Sequence, residues 1–286
     1  MTHAIGIIMG LVCMLCFGIT DLLVKKATKK VDPITFGALR TFFSAIIILF
    51  VNIIFFEIRM PHKITWVYIV IFGIIGAYAY FMLFKGMKHG MISIVSPIAN
   101  SSAIITVILS AIFLHEILDF KTYVVISFII IGIILVSFKY KDIIHIDPGK
   151  SKRGVRYALA TFFCWGFIFF LYRYINSDVG PVLTGFYTES MIFISFLPFF
   201  RAKKLKKVNK SGWGYILLTS ILVAIAVTSF NIGMVHALLS IIAPVSSASA
   251  MIAVILGMVV LKEKISMNQK LGIIMIVINI IILSLL

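Results

Sequence analysis

The sequence predicts an all-α integral membrane protein, with ten transmembrane helices arranged as two inverted five-helix repeats. Three observations carry that expectation. The 286 residues are 62% hydrophobic, with a mean hydropathy of +1.14, and so apolar a chain cannot build a water-facing surface. Its apolar runs reach about 18 residues without alternation, the length of a bilayer-crossing helix. Helices also satisfy their own backbone groups in lipid. Finally, the stretch Gly86–Glu116 returns as Gly233–Glu263 at a constant offset of 147, with 14 of 31 positions identical. Matched Ile and Leu mean little in this composition, but matched Gly-Met, His, Pro and Glu mark an internal duplication.

Taken in order, the span cores fall at 5–24, 34–56, 65–84, 91–114, 121–138, 155–175, 181–200, 213–233, 238–261 and 268–286. No basic residue precedes the first run and no small-residue cleavage site follows it, so it reads as a retained span. Spans 4 and 9 carry Pro97 and Pro244 inside them. Each proline removes an intrahelical hydrogen bond and frees a carbonyl. The polar residues that follow at once (Asn100, Ser101 and Ser102; Ser246, Ser247 and Ser249) are expected to serve the freed groups and line a cavity, with helix packing as the alternative. Lys139–Arg156 is the longest polar segment, and Asp147-Pro148-Gly149 breaks it. The expected organisation is a first repeat at 1–140, a cytoplasmic linker at 141–153 and a second repeat at 154–286. Five is odd, so the second repeat enters the membrane from the opposite side. Inverted halves suit alternating access, with two bundles rocking about a water-filled gap and a substrate near the midplane.

The net charge of +16 would suggest nucleic acid in a soluble protein. Here the placement of the charges explains it. Of 26 Lys and Arg, 21 fall in the loops after spans 1, 3, 5, 7 and 9, and only four in the loops on the other side. That bias makes the basic face cytoplasmic and puts both termini outside a plasma membrane. The run Arg201–Lys210 reads as a cytoplasmic anchor, with specific lipid binding as its alternative. Cys13 and Cys16 form a C-x-x-C inside an apolar helix without another soft ligand, so packing is expected there rather than metal or redox use. The sequence has no phosphate-binding GxxxxGK[ST] loop and no catalytic constellation. ATP drive, a cofactor and an enzymatic activity are therefore not expected.

Few residues break the apolar rule inside the spans, and charge facing lipid costs several kcal/mol. Arg40 in span 2 either pairs with a substrate carboxylate or a buried acid, or snorkels to the interface. Glu189 in span 7 sits one residue beyond the repeat-related position of Arg40 and reads as a pathway or coupling carboxylate, or else a packing partner. Asp21 and Lys25 have the spacing of a helical ion pair. Glu116 and Glu263 end spans 4 and 9, and each is expected to cap the helix that follows. Polar-tipped aromatics lie inside spans at Tyr78, Tyr80, Trp165, Tyr172 and Tyr187, and Phe17-Gly18 matches Trp165-Gly166 at offset 148. Tyr78, Tyr80 and Trp165 are deep enough to offer ring faces to a cation or an aromatic substrate, whereas an interfacial belt is the usual alternative. Asn231 is a further deep polar group. The matched His89 and His236 suggest a turn rather than a metal site.

These residues resemble the drug/metabolite transporter superfamily in its EamA-like branch. The resemblance covers nearly the whole chain. It rests on Phe17-Gly18, on Asp32-Pro33 through Ala38-Leu39-Arg40, on Gly86-Met87-Lys88-His89, and on Pro97 with Leu114-His115-Glu116. In the second repeat it rests on Trp165-Gly166, Pro181, Pro244 and Leu261-Lys262-Glu263. Asp21 and Glu189 depart from the pattern. The resemblance implies a secondary transporter, often an exporter of amino acids or other small metabolites, with its site between spans 1, 3, 4, 6, 8 and 9. The expected partners are a small-molecule substrate, the lipid bilayer and a coupling H+ or Na+, for a monomer or homodimer. Two alternatives stay open: an importer of organic cations using Trp165, Tyr78 and Tyr80 as a cage, and a non-transporting membrane subunit.

Overall fold

The computed structural model describes residues 2–137 and 150–286; most of the expected linker, with its Asp147-Pro148-Gly149 breaker, lies outside them. Among the described residues, ten stretches are long and apolar enough to cross a membrane. The first three are α1 (Thr2–Ala27), α2 (Pro33–Phe55) and α3 (Lys63–His89). Span 4 is made of α4 (Ile92–Asn100) and α5 (Ala103–Phe113), and span 5 is α6 (Phe120–Ser137). The second repeat has α7 (Lys150–Val179) and α8 (Pro181–Phe196), then a short α9 (Ala202–Leu205), then α10 (Lys210–His236). Span 9 is made of α11 (Leu239–Ser247) and α12 (Ser249–Leu261), and α13 (Met267–Leu285) closes the chain. No strand occurs among the described residues.

Local chemistry explains several helix starts. Asp32 accepts the Thr35 amide at 3.4 Å, with Pro33 in the first turn, where its missing N–H costs nothing. Asn209 caps α10 through the Gly212 amide at 2.8 Å. Ser266 and Gln269 form a reciprocal capping box on α13. Spans 4 and 9 were expected as single kinked helices, but each is broken in two shortly after its proline. The carbonyl that Pro97 frees is that of Ser93, four residues back. It accepts a bond from Gln269 Nε2 at 2.8 Å, so span 10 serves it rather than the neighbouring Asn and Ser.

Repeat-related helices run antiparallel. Asp32, at the start of α2, pairs at 2.7 Å with Lys204, which lies beyond the end of α8. Gln269, at the start of α13, donates at 3.0 Å to the carbonyl of Val136, at the end of α6. The two repeats are therefore inverted. They are not two separate bundles with a gap between them, as the sequence suggested. Each span packs chiefly against the other repeat: α1 along α10, α3 along α7, α2 along α8 and α6 along α13. Two walls result. In one, α3 and α7 carry α4 and α5; in the other, α1 and α10 carry α11 and α12. The α2–α8 pair forms a seam along one side of the walls, and the α6–α13 pair backs the other.

Periodicity sorts each span into a lipid stripe and an inner stripe. On α2, Phe42, Ile46, Phe50 and Ile53 are exposed, while Phe36, Arg40, Ser44, Ile48 and Asn52 recur every four residues on the buried side. Arg40 therefore does not snorkel, because its stripe faces the seam. The α6–α13 crossing depends on glycine. A Cβ at Gly272 would lie 2.7 Å from the Gly132 carbonyl oxygen and 2.7 Å from Val136 Cγ2. Gly272→Val should push these helices apart and cost about 1–3 kcal/mol, read as a lowered melting temperature of the detergent-solubilised protein. An unchanged melt would show that the crossing yields freely.

Candidate functional site

The seam brings together the two charges that the sequence placed at related positions. Arg40 Nη1 lies 3.2 Å from Glu189 Oε2 and 3.4 Å from Oε1, at 1% and 0% side-chain exposure. Ser44 donates to Glu189 Oε2 at 2.5 Å. The Tyr80 ring, from one wall, lies 4.1 Å from the guanidinium carbon. Ser220, from the other wall, donates to the Arg40 carbonyl at 3.1 Å. Either charge alone would be prohibitive at this depth, so each is the condition of the other. Arg40 Nε and Nη2 have no partner among the described residues. Those two atoms form the edge of the fork that grips a carboxylate with parallel hydrogen bonds.

Aromatic side chains surround the pair. Trp165 meets Tyr80 edge-on at 6.1 Å, Tyr80 stacks on Phe84 at 5.8 Å, and Tyr172 contacts Phe72 at 4.5 Å. Phe17 is half-buried against the same core. Tyr78 is not part of it. It is 50% exposed and continues the lipid stripe of Ile64, Val67, Ile71 and Ile74. Two residues apart on a helix is about 200° of rotation, so Tyr78 and Tyr80 cannot face the same way. The cation cage therefore loses one wall to lipid, and Arg40 already covers the ring of another. Tyr187 serves the membrane edge, donating to the Arg59 carbonyl at 3.0 Å. Asn231 is buried with neither side-chain polar atom partnered among the described residues, and its carbonyl accepts from Asn176 at 2.8 Å. Ser247 is buried at the break in span 9.

Asp21 and Lys25 do not pair as expected. Lys25 Nζ reaches across to α3, donating to the Met87 carbonyl at 2.7 Å and also to that of Gly90. Asp21 instead accepts from Ser96 Oγ. The matched residue in the second repeat does what Lys25 does: Arg173 Nη1 donates to the Met234 carbonyl at 2.7 Å. Lys25 ties the walls at the basic face, and Arg173 ties them at the terminus-bearing face.

Glu116 and Glu263 also act across the walls rather than on the next helix. Glu116 accepts the Leu239 and Ser240 amides at 2.9 and 2.8 Å. Glu263 accepts those of Ile92 and Ser93 at 3.2 and 3.0 Å. The following helices have their own caps, Asp119 on α6 and Ser266 on α13. Hydrogen bonds from Thr122 hold the Asp119 carboxyl below its usual range. The preceding residues, His115 and Lys262, adopt φ of 51° and 56°, a left-handed turn that costs a non-glycine residue about 1–3 kcal/mol. Two amide bonds per glutamate offset it. At each face a cation thus holds the carbonyl end of one helix and an anion the amide end of the next, each matched to the local dipole.

Both faces are latched in this conformation, and with Arg40 and Glu189 at 1% and 0% exposure the water-filled gap expected at this pair is not open there among the described residues. A cleft of about 420 Å³ lies elsewhere, at the terminus-bearing end, lined by Asn52, Phe56, Glu57, Arg59, Gly180 and Val182. Along α2 it is about 18 Å from Arg40. Sequence reasoning missed Ser44, Ser96, Gln269 and both latches. The offset linking Lys25 to Arg173 was a signal that could have revealed the latches.

A bundle of ten apolar helices in two inverted repeats, closed over a buried ion pair, is that of a multi-pass membrane transport protein. The chain belongs to the EamA-like transporter family, whose family model matches residues 4–138 and again 152–285. A solved structure titled "Crystal structure of protein" is similar over 98% of this chain and 96% of that one, with a TM-score of 0.74 and 18% identity. That likeness shows the fold alone. No curated protein matches.

Proposed function

We propose that this protein is a secondary active transporter of the plasma membrane that moves a small carboxylate-bearing metabolite, an amino acid or related compound, by alternating access. The observation that carries this reading is the unpartnered Nε–Nη2 edge of a fully buried Arg40. Glu189 and Ser44 hold the guanidinium, Tyr80 and Trp165 shape its surroundings, and a substrate carboxylate completes it. Phe17, Asn100, Asn231 and Ser247 complete the proposed lining. Pro97 and Pro244 interrupt the helices that move, and the two walls, rather than the two repeats, swing apart at one face while latched at the other. The Lys and Arg bias puts the basic face in the cytoplasm and both termini outside, with repeats at 1–140 and 154–286 joined by a cytoplasmic linker at 141–153. Export is the direction the family resemblance implies. One chain contains a whole seam, so a monomer, or each subunit of a homodimer, suffices. Glu189 is committed to Arg40 and Ser44, so it positions the arginine rather than carrying a coupling ion.

Counterflow in proteoliposomes tests this reading. Labelled amino acids or small carboxylates should exchange, and quaternary amines should not. Arg40→Lys keeps the charge but loses the fork, and should weaken apparent affinity by about 10- to 100-fold, the worth of one charge-assisted bond. Exchange of quaternary amines without carboxylates would overturn it.

A further inference from the structure

The ion pair leaves one buried acid unexplained. Asp21 is buried in α1, and no Lys, Arg or His pairs with it among the described residues. It ends a chain of hydrogen bonds whose direction the chemistry fixes. The Ser96 carbonyl can only accept, so the Asn100 amide nitrogen, 3.0 Å away, must point at it. The Asn100 oxygen then accepts from Ser249 at 3.0 Å, and its nitrogen also reaches Ser96 Oγ at 3.2 Å. Ser96 has its hydroxyl proton left to give, and gives it to Asp21 Oδ2. The chain crosses between the walls twice, from α12 to α4 and from α4 to α1.

We propose that Asp21 is a proton-binding site that couples transport to a proton gradient. The proposal rests on the carrier reading above and assigns its coupling ion. The surroundings name the ion. The Ser96 hydroxyl donates to the carboxylate, whereas a metal cation such as Na+ needs several oxygen lone pairs there. Other charges nearby are engaged. Lys25, one turn along α1, is held by Met87 and Gly90. From α3, Tyr80 lies against the Arg40 guanidinium. Beyond α12, Glu263 is held by the Ile92 and Ser93 amides. Cys13 and Cys16 lie further back on α1. Between Lys210 and His236 helix α10 has no charged residue, and α11 and α12 have none.

Coupling follows from burial. With the walls closed, an ionised Asp21 keeps few donors and no counter-charge, and burying such a group is costly. Closure therefore selects the neutral form: the carboxylate takes one proton from the water on the open side and becomes a carboxylic acid. Opening to the other side rehydrates the site and returns that proton to the water there. One proton moves per cycle and no bond other than O–H changes.

The test uses the full-length protein. Infrared difference spectra between low and high pH should show a protonated-carboxyl band that Asp21→Asn removes and Glu189→Gln keeps. In proteoliposomes an imposed pH gradient should drive accumulation by the wild type, while Asp21→Asn accumulates no more than without a gradient. A band that survives Asp21→Asn, gradient-driven accumulation by that variant, or a sodium gradient replacing the pH gradient would overturn the proposal. Counterflow without any response to pH would also overturn it and leave the carrier reading standing. Absence of counterflow for every solute would sink the carrier reading, and the infrared band alone would then decide the site. If Asp21→Asn does not fold, Ser96→Ala substitutes: removing the donor should shift the band, and an unmoved band overturns the assignment.

Discussion

Glu189→Ala should destabilise the protein by about 3–5 kcal/mol, more than any other single truncation in the seam. The variant strands the Arg40 guanidinium at 1% exposure with only the Tyr80 ring beneath it. Ser44 also loses its acceptor. The cost is one of breaking the pair, not a measure of what the pair contributes, because bringing two charges out of water offsets most of their attraction. Replacing both partners at once, with Arg40→Met and Glu189→Met, should therefore recover most of the melting temperature while exchange stays lost. Thermal melting in detergent, followed by size-exclusion chromatography, checks the stability half, and counterflow checks the other. A double variant as unstable as the single one would mean that the seam needs the pair itself to fold.

The second large effect concerns the latches, and its sign is the informative part. Lys25→Met removes the tie at the basic face, and Arg173→Met removes its counterpart at the terminus-bearing face. A charge-assisted bond of about 1.5–3 kcal/mol implies a shift of about 10- to 100-fold toward opening at that face. The chain carries its own reporters. Cys16 and Cys164 sit at matched positions and are half-buried, while Cys13 is fully buried and serves as the silent control. An impermeant thiol reagent should label Cys16 and Cys164 faster from the basic side in Lys25→Met and from the opposite side in Arg173→Met. Acceleration from the same side in both variants would refute the assignment of one latch to each face.

Spans, duplication and inversion were legible because they depend on composition and on an odd count of apolar runs, and neither needs tertiary detail. The meeting of Arg40 with Glu189 was legible through the repeat offset. Tyr78 was misplaced although the sequence contained the correction: it follows Ile64, Val67, Ile71 and Ile74 at helical spacing, which marks the lipid side. Depth in a span follows from position along the apolar run, whereas azimuth follows from the helical register of its neighbours. Asp21 with Lys25, and Glu116 with its following helix, failed for a different reason. Spacing reports only on partners within a helix, and the true partners lie 62 to 124 residues away. The interleaving of the repeats was hidden for the same reason. Pairing across halves leaves no periodic trace, and two separate bundles would show the same hydropathy.

The glutamate caps set a condition on how the molecule can be assembled. Each repeat supplies the carboxylate that completes the amide end of a broken helix in the other. A five-span fragment synthesised alone therefore carries bare amides in a greasy environment and a spare acid with nothing to hold. Only an upside-down neighbour, encoded in the same chain or supplied as a second polypeptide, relieves both at once.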